Sequence, residues 1–183
     1  EDILEYKGNV TIKLNEGLVE LEDDKIKTDK EYKYNYDKII LTIPQESLKQ
    51  IEYLKDVKEL DSVTGIPLLR IYFKYPVDNN KGVWFKKIRR TTTDNYIRHI
   101  IPVDYNNGLI MISYTDGLYT DMLLNIYNKD KKLLIKAIHK EIKELFGIEP
   151  PEPEEVLFHY WENGCHFWGV GEDMNEIYDK IMK

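Results

Sequence analysis

Arg70 is the residue of this chain whose type and setting most invite chemistry, because it interrupts the largely apolar run Leu68-Leu69-Arg70-Ile71-Tyr72-Phe73-Lys74-Tyr75. In a strand successive side chains alternate between faces, so Arg70 shares one face with Tyr72 and Lys74 while Ile71, Phe73 and Tyr75 take the other. A guanidinium so placed must reach solvent, a carboxylate or a bound polar ligand, since an unpaired charge is costly to bury. Two readings stay open for it: an arginine on the wet face of a sheet, or one that meets a ligand. A second cluster lies near the C-terminus, where Tyr160, Trp161, Phe167 and Trp168 form an aromatic wall, either of a core or of a cage. His159 and His166 stand seven apart beside Cys165 and read as structural or pocket-lining residues, because the set lacks the spacing and the carboxylate partner of a transition-metal site. No metal is expected.

The elements that must position these residues follow from hydrophobic period and turn chemistry. Val10 to Leu14, Leu18 to Leu21 and Lys25 to Thr28 alternate around the Asn15-Glu16-Gly17 turn, which predicts a small β-meander. Ile39-Ile40-Leu41-Thr42-Ile43 is a β-branched run without polar alternation, the pattern of a strand buried on both faces. Pro44 would end that strand and start a helix over 45 to 54. Ligands of α/β folds bind where strands end, so the Ile43-Pro44 corner is a candidate contact. Further on, residues 96 to 101 and 109 to 114 flank Asn106-Asn107-Gly108 and predict a hairpin. Of two helices beyond it, the second carries Leu133, Leu134, Ala137, Ile138, Ile142, Leu145 and Phe146 on one face, with Asn128 as its cap and Gly147 as its stop. His139 lies off that stripe and is expected to be exposed. A proline-rich connector, Glu149 to Glu155, leads to a last strand from Val156 to Trp161.

Composition closes off several function classes. A net charge of −7 argues against a nucleic-acid surface, whose affinity comes from clustered Lys and Arg; Lys86-Lys87-Ile88-Arg89-Arg90 reads as a solvated strand end. No run approaches the apolar length of a membrane helix, and Glu1-Asp2-Ile3-Leu4 is unlike a signal peptide. The single cysteine, Cys165, forbids an internal disulfide and points to a reducing compartment, the cytoplasm by default. There is no glycine-rich dinucleotide loop, no P-loop, no nucleophile elbow and no H-E-x-x-H, and Gly169-Val170-Gly171 lacks a strand–turn–helix context.

Taken in order, the pieces resemble the middle of the flavin-containing amine oxidases, the family of monoamine, polyamine and L-amino-acid oxidases. The resemblance rests on Ile12-Lys13-Leu14-Asn15 with Leu18 and Leu21, on the stretch from Asp37 to Pro44, and on Arg70 to Tyr75 followed by Trp84. The helix end Leu145-Phe146-Gly147, the proline connector, and Trp161 with Gly169 eight residues on complete the series.

This resemblance implies an α+β fold: a mixed, largely antiparallel sheet flanked by helices, the substrate-binding domain, joined to a β-meander and a buried strand of an FAD domain. It implies FAD-side chain over 1–44, the substrate domain over 45–160 and a return segment over 161–183. Leu18 is implied at the adenine end of FAD, with Ile43, Pro44, Trp161 and Gly169 near the flavin. Arg70 takes the catalytic position at which relatives carry a lysine holding a water by the reactive flavin nitrogen. Tyr72, His166, Trp168 and Gly171 are implied on the substrate side, Gly171 standing where relatives have an aromatic wall of the amine cage, with Trp168 or His166 as substitutes. The expected activity is oxidation of a C–N bond in a small-molecule amine or amino acid. The chain does not begin with Met, so it is read as a piece whose partner is the FAD-binding domain of its own parent, and alone it is expected neither to hold FAD nor to turn over. A non-catalytic binding or structural module is the alternative.

Overall fold

The structure is a computed structural model that describes residues 9–181, so the leading Glu1-Asp2-Ile3-Leu4 lies outside the described residues. The chain forms two compact units, Glu1–Asp61 and Ser62–Lys183, a division that falls after Asp61 whereas the sequence places a boundary after Pro44.

In the first unit, β1 (Leu18–Leu21), β2 (Lys25–Thr28) and β3 (Lys33–Asn35) pair antiparallel in sequence order, a meander that keeps two of the expected strands and takes 33–35 as its third. Gly17 N donates to the Asp29 carboxylate at 3.1 Å and Asp29 N returns a bond to Gly17 O at 2.8 Å, which locks the entry of β1 to the exit of β2. Two expected strands are not there. Residues 10–14 are irregular and exposed, and the run at 39–43 is irregular too, with Ile40 87% exposed and Ile39 and Leu41 half-buried. A strand buried on both faces exists only between neighbours that take its N–H and C=O groups, and no described strand pairs with 39–43. The helix expected over 45–54 is one turn, α1 (Gln45–Leu48), entered at Pro44. Beyond it the bonds Gln50 N to Ser47 O, Ile51 N to Leu48 O and Leu54 N to Ile51 O are all i to i−3, so the chain continues as tight turns.

The second unit is built on a five-stranded antiparallel sheet. Its strands are β4 (Val63–Lys74), β5 (Thr91–Thr92), β6 (His99–Asp104), β7 (Leu109–Asp116) and β8 (Glu155–Trp168), in the order β5-β6-β7-β4-β8. Between β7 and β8 come α2 (Leu118–Lys129) and α3 (Lys131–Phe146), and α4 (Met174–Ile181) is the last described element. The α+β class and the antiparallel sheet thus stand as the sequence implies. β8 runs unbroken across residues 160 and 161.

The core lies on one face of this sheet. Leu69, Ile71, Phe73 and Tyr75, Ile110 and Ile112 of β7, and Leu134, Ile138 and Ile142 of α3 are all fully enclosed. The β6–β7 hairpin turns where expected, and Gly108 is required there: φ is +69°, and a Cβ would lie 2.0 Å from Tyr75 O. α3 starts at Asp130, whose carboxylate accepts from Lys132 N at 2.8 Å, and Asn128 sits inside α2 instead of capping. Gly147 ends the helix in the left-handed conformation, φ +65°, as the sequence predicts. His139 is not exposed: its Nε2 lies 2.9 Å from the Tyr75 hydroxyl and its ring stacks on the Tyr75 ring. The stripe alone could not reveal this, because α3 lays its flank over the end of β4. Among the described residues no helix is long and apolar enough to cross a membrane.

Candidate functional site

The opposite face of the sheet carries no helix from the core cluster, and there the alternation of β4 sets out Arg70, Tyr72 and Lys74. Register brings neighbours to each. Arg70 stands between Tyr114 of β7 and His159 of β8, Tyr72 between Met111 and Leu157, and Lys74 between Leu109 and Glu155. These rows enclose an open cavity of about 420 Å³ lined by Arg70, Tyr72, Lys74, Leu109, Glu155, Leu157, His159 and Trp161.

Two irregularities shape it. On β8, Glu162, Asn163 and Gly164 lie opposite the single residue Pro67, between the pairs Ile66–Cys165 and Leu68–Trp161. Proline has no N–H to give to a ladder, so the edge strand bulges at that point. A Cβ at Gly164 would fall 2.3 Å from Leu68 Cβ, so glycine lets the bulge sit on the sheet. On the other side the β4–β7 register shifts between Ile71 and Tyr72, directly below Arg70.

The Arg70 guanidinium carbon lies 4.8 Å from the Tyr114 ring centroid and 5.7 Å from that of Trp161, a cation set between two π-faces. Its Nε is buried with no hydrogen-bond partner. Hydrogen bonding to Tyr114, then to Tyr72, holds the guanidinium even more firmly charged than usual, although burial opposes this. The His159 ring stacks on Trp161 with centroids 5.5 Å apart. At the other end of the cavity Lys74 and Glu155 form an ion pair of 2.9 Å. The Cys165 thiol is pushed up, first by burial and then by Asp116, with Arg70 opposing, which favours the thiol over the thiolate.

Of the residues singled out in the sequence, Arg70, Tyr72, His159 and Trp161 come together in this cavity. His166, Trp168, Gly169 and Gly171 do not join them. His166 pairs with Gly65 and Trp168 with Val63, seven residues along β4 from Arg70 and so roughly 20 Å away. Gly169 N donates to Ser62 O at 2.7 Å just beyond the sheet. Gly171 has φ +91°, a conformation open to glycine and strained for an aromatic residue. Leu18 on β1 and the exposed Ile43-Pro44 belong to the first unit. Sequence reading missed Tyr114, Leu109, Glu155 and Leu157. The alternation Glu155, Leu157, His159, Trp161 was the available signal, whereas the pairing of Tyr114 with Arg70 needs the fold. Among the described residues no group of three or more His, Cys, Asp or Glu is arranged to hold a metal ion.

A family model described as flavin containing amine oxidoreductase matches residues 1–175. The chain belongs to that family. Members of the flavin-containing amine oxidoreductases carry out redox chemistry on small molecules with a flavin cofactor. No curated protein sequence matches the chain. Among solved structures it is similar to a "putative protoporphyrinogen oxidase" from Exiguobacterium sp. 255-15, with TM-score 0.62 and 16% identity over 91% of this chain. At that identity the likeness is one of fold. The chain spans 39% of the length of that protein.

Proposed function

We propose that this chain supplies the substrate-facing sheet of an FAD-dependent oxidoreductase that oxidises a C–N bond of an amine or amino acid. The observation that carries the reading is Arg70: a charged side chain held between Tyr114 and Trp161 on the helix-free face, with a buried Nε that lacks an acceptor. Such a donor set fits a flavin and the substrate beside it, since the ring edge and a polar substrate both present acceptors and Trp161 offers a broad apolar surface. Bound flavin would supply the hydride acceptor. The chain's own residues would orient the substrate: Arg70 by hydrogen bonds, Tyr72 and Trp161 as walls, Leu109 and Leu157 by excluding water. Ile43, Pro44, Leu18 and Gly169 are proposed flavin contacts, and His166, Trp168 and Gly171 proposed substrate contacts, on the family resemblance alone. Residues 45–160 form the substrate domain in this reading, between FAD-side segments at 1–44 and 161–183. Arginine is never a base at neutral pH, so Arg70 acts by charge and geometry, not by taking a proton.

These 183 residues contain no glycine-rich dinucleotide loop, and we expect them to need the FAD-binding domain of the parent protein for cofactor and turnover. The lone Cys165 supports a reducing, cytoplasmic setting. Expressing the parent gene tests the reading: bound flavin with amine- or amino-acid-dependent peroxide supports it, and a protein purified without flavin overturns it. A stoichiometric yellow complex of the 183 residues alone with FAD contradicts the dependence on the parent. One observation favours a second reading, a non-catalytic binding module: the Gly171 backbone at φ +91° has no room in its conformational preference for a cage aromatic. Flavin without turnover in the parent protein would support that reading.

A further inference from the structure

We infer that the cavity on the helix-free face takes a substrate with a carboxylate and an apolar body, the carboxylate seated on Arg70. This rests on the reading of that face as the substrate face and narrows it.

The charge pattern of the cavity carries the inference. Its lining holds two cations, Arg70 and Lys74, and one carboxylate, Glu155. Glu155 is already taken by Lys74 at 2.9 Å. None of the described ion pairs uses Arg70, and Asp116, one register row further along the same face opposite Leu68, forms none with it. The cavity therefore presents one uncompensated positive charge, partly enclosed, and an ammonium substrate would meet it as a like charge. A planar carboxylate matches the guanidinium fork, which can donate to both of its oxygens. The aromatic contacts with Tyr114 and Trp161 place the guanidinium before any ligand arrives, so little ordering is left for binding to bear. Beyond Arg70 and its neighbours Tyr114, His159 and Trp161, the lining offers apolar surface from Leu157 opposite Tyr72 and Leu109 opposite Lys74, which suits a hydrocarbon or aromatic body.

The test is a titration of the 183-residue chain with 3-phenylpropanoate and, in parallel, with 3-phenylpropylammonium, which differ only in the charged end. Binding is followed by the indole N–H resonances of Trp84, Trp161 and Trp168, assigned by single Trp→Phe variants. The carboxylate is expected to shift Trp161 to saturation while the ammonium ion does not. Arg70→Gln should weaken the carboxylate by about tenfold or more, since a hydrogen bond to a charged partner is lost, and Arg70→Lys should weaken it less, keeping charge without the fork. A thermal melt of each variant confirms folding, and if Arg70→Gln does not fold, Arg70→Lys alone decides by the same ordering. The inference is overturned if the ammonium probe binds as well as the carboxylate, if Arg70→Gln binds unchanged, if the shifts fall on Trp84, or if neither probe saturates. Flavin content and peroxide formation in the parent protein are read separately, so failure of the carboxylate site with an active flavoprotein leaves the redox reading standing.

Discussion

One strand, β4, carries two faces that do opposite work. Leu69, Ile71, Phe73 and Tyr75 are completely enclosed under α2 and α3, while Arg70, Tyr72 and Lys74, each one residue away, remain half-buried around a cavity. The enclosed side is mostly apolar: the Tyr75 hydroxyl bonds His139, while Thr115 Oγ1, opposite Leu69, and Trp84 Nε1, packed against Tyr75, are buried without partners. The cavity face keeps a charged group with a donor unmet. What sets Arg70 Nε apart from the other unmet atoms is its charge and its place beside a cavity, and buried polar groups are almost always paired. A period of two residues thus separates what stabilises this sheet from what the sheet presents.

The separation can be attacked first on the enclosed face. Phe73→Ala removes an aromatic side chain at 0% exposure that packs edge-on against Tyr75, and should lower the unfolding free energy by about 3–5 kcal/mol in a urea titration. A loss below about 1 kcal/mol would mean the two faces are not distinct in packing.

A smaller effect is expected at the polar seam of that face. Tyr75→Phe should cost about 1 kcal/mol, because His139 loses its partner in a half-buried site. The same pair sets a pH dependence. Burial holds the His139 pKa below its ordinary value of 6.5, with Glu152 and Glu149 opposing. Below 6.5 the unfolded chain takes up a proton that the folded chain resists, so stability is full above that pH and falls as pH drops below it. Denaturation midpoints measured across this range should lose that slope in His139→Gln, and an unchanged slope would remove His139 as its source.

The smallest effect belongs to the cavity rim. The Lys74–Glu155 pair is largely solvated, so Lys74→Gln should leave the unfolding midpoint unchanged within measurement scatter. A measurable loss would place rim electrostatics among the forces that hold the sheet.

How legible this was in the sequence depends on the range of the interactions. The alternation of Arg70, Tyr72 and Lys74 against Ile71, Phe73 and Tyr75 is a local property and could be read directly. So could the turn at Gly108 and the helix stop at Gly147, where the backbone itself demands glycine. Residues 39–43 failed because a buried strand is a statement about neighbours, and the run has none among the described strands. His139 failed for the converse reason: its exposure was inferred from its own helix, while the enclosing group, Tyr75, sits 64 positions earlier. The cavity was half legible. Trp161 and Arg70 were found as separate features, but their meeting depends on β8 pairing with β4 across the Pro67 bulge, which no local pattern encodes.

The most direct test of the two-faced strand is a thermal unfolding comparison of the wild-type chain and Arg70→Gln, each with and without 3-phenylpropanoate. A ligand at a hundredfold excess over Kd adds about 2.7 kcal/mol of stability to a folded protein that binds it. The account predicts that Arg70→Gln melts within several degrees of wild type without ligand, losing about 1–2 kcal/mol for its two half-buried cation–π contacts with Tyr114 and Trp161. It predicts also that the carboxylate raises the wild-type midpoint and leaves the variant's unmoved. A variant that melts far below wild type, or one that the carboxylate stabilises as much as it does wild type, would contradict it.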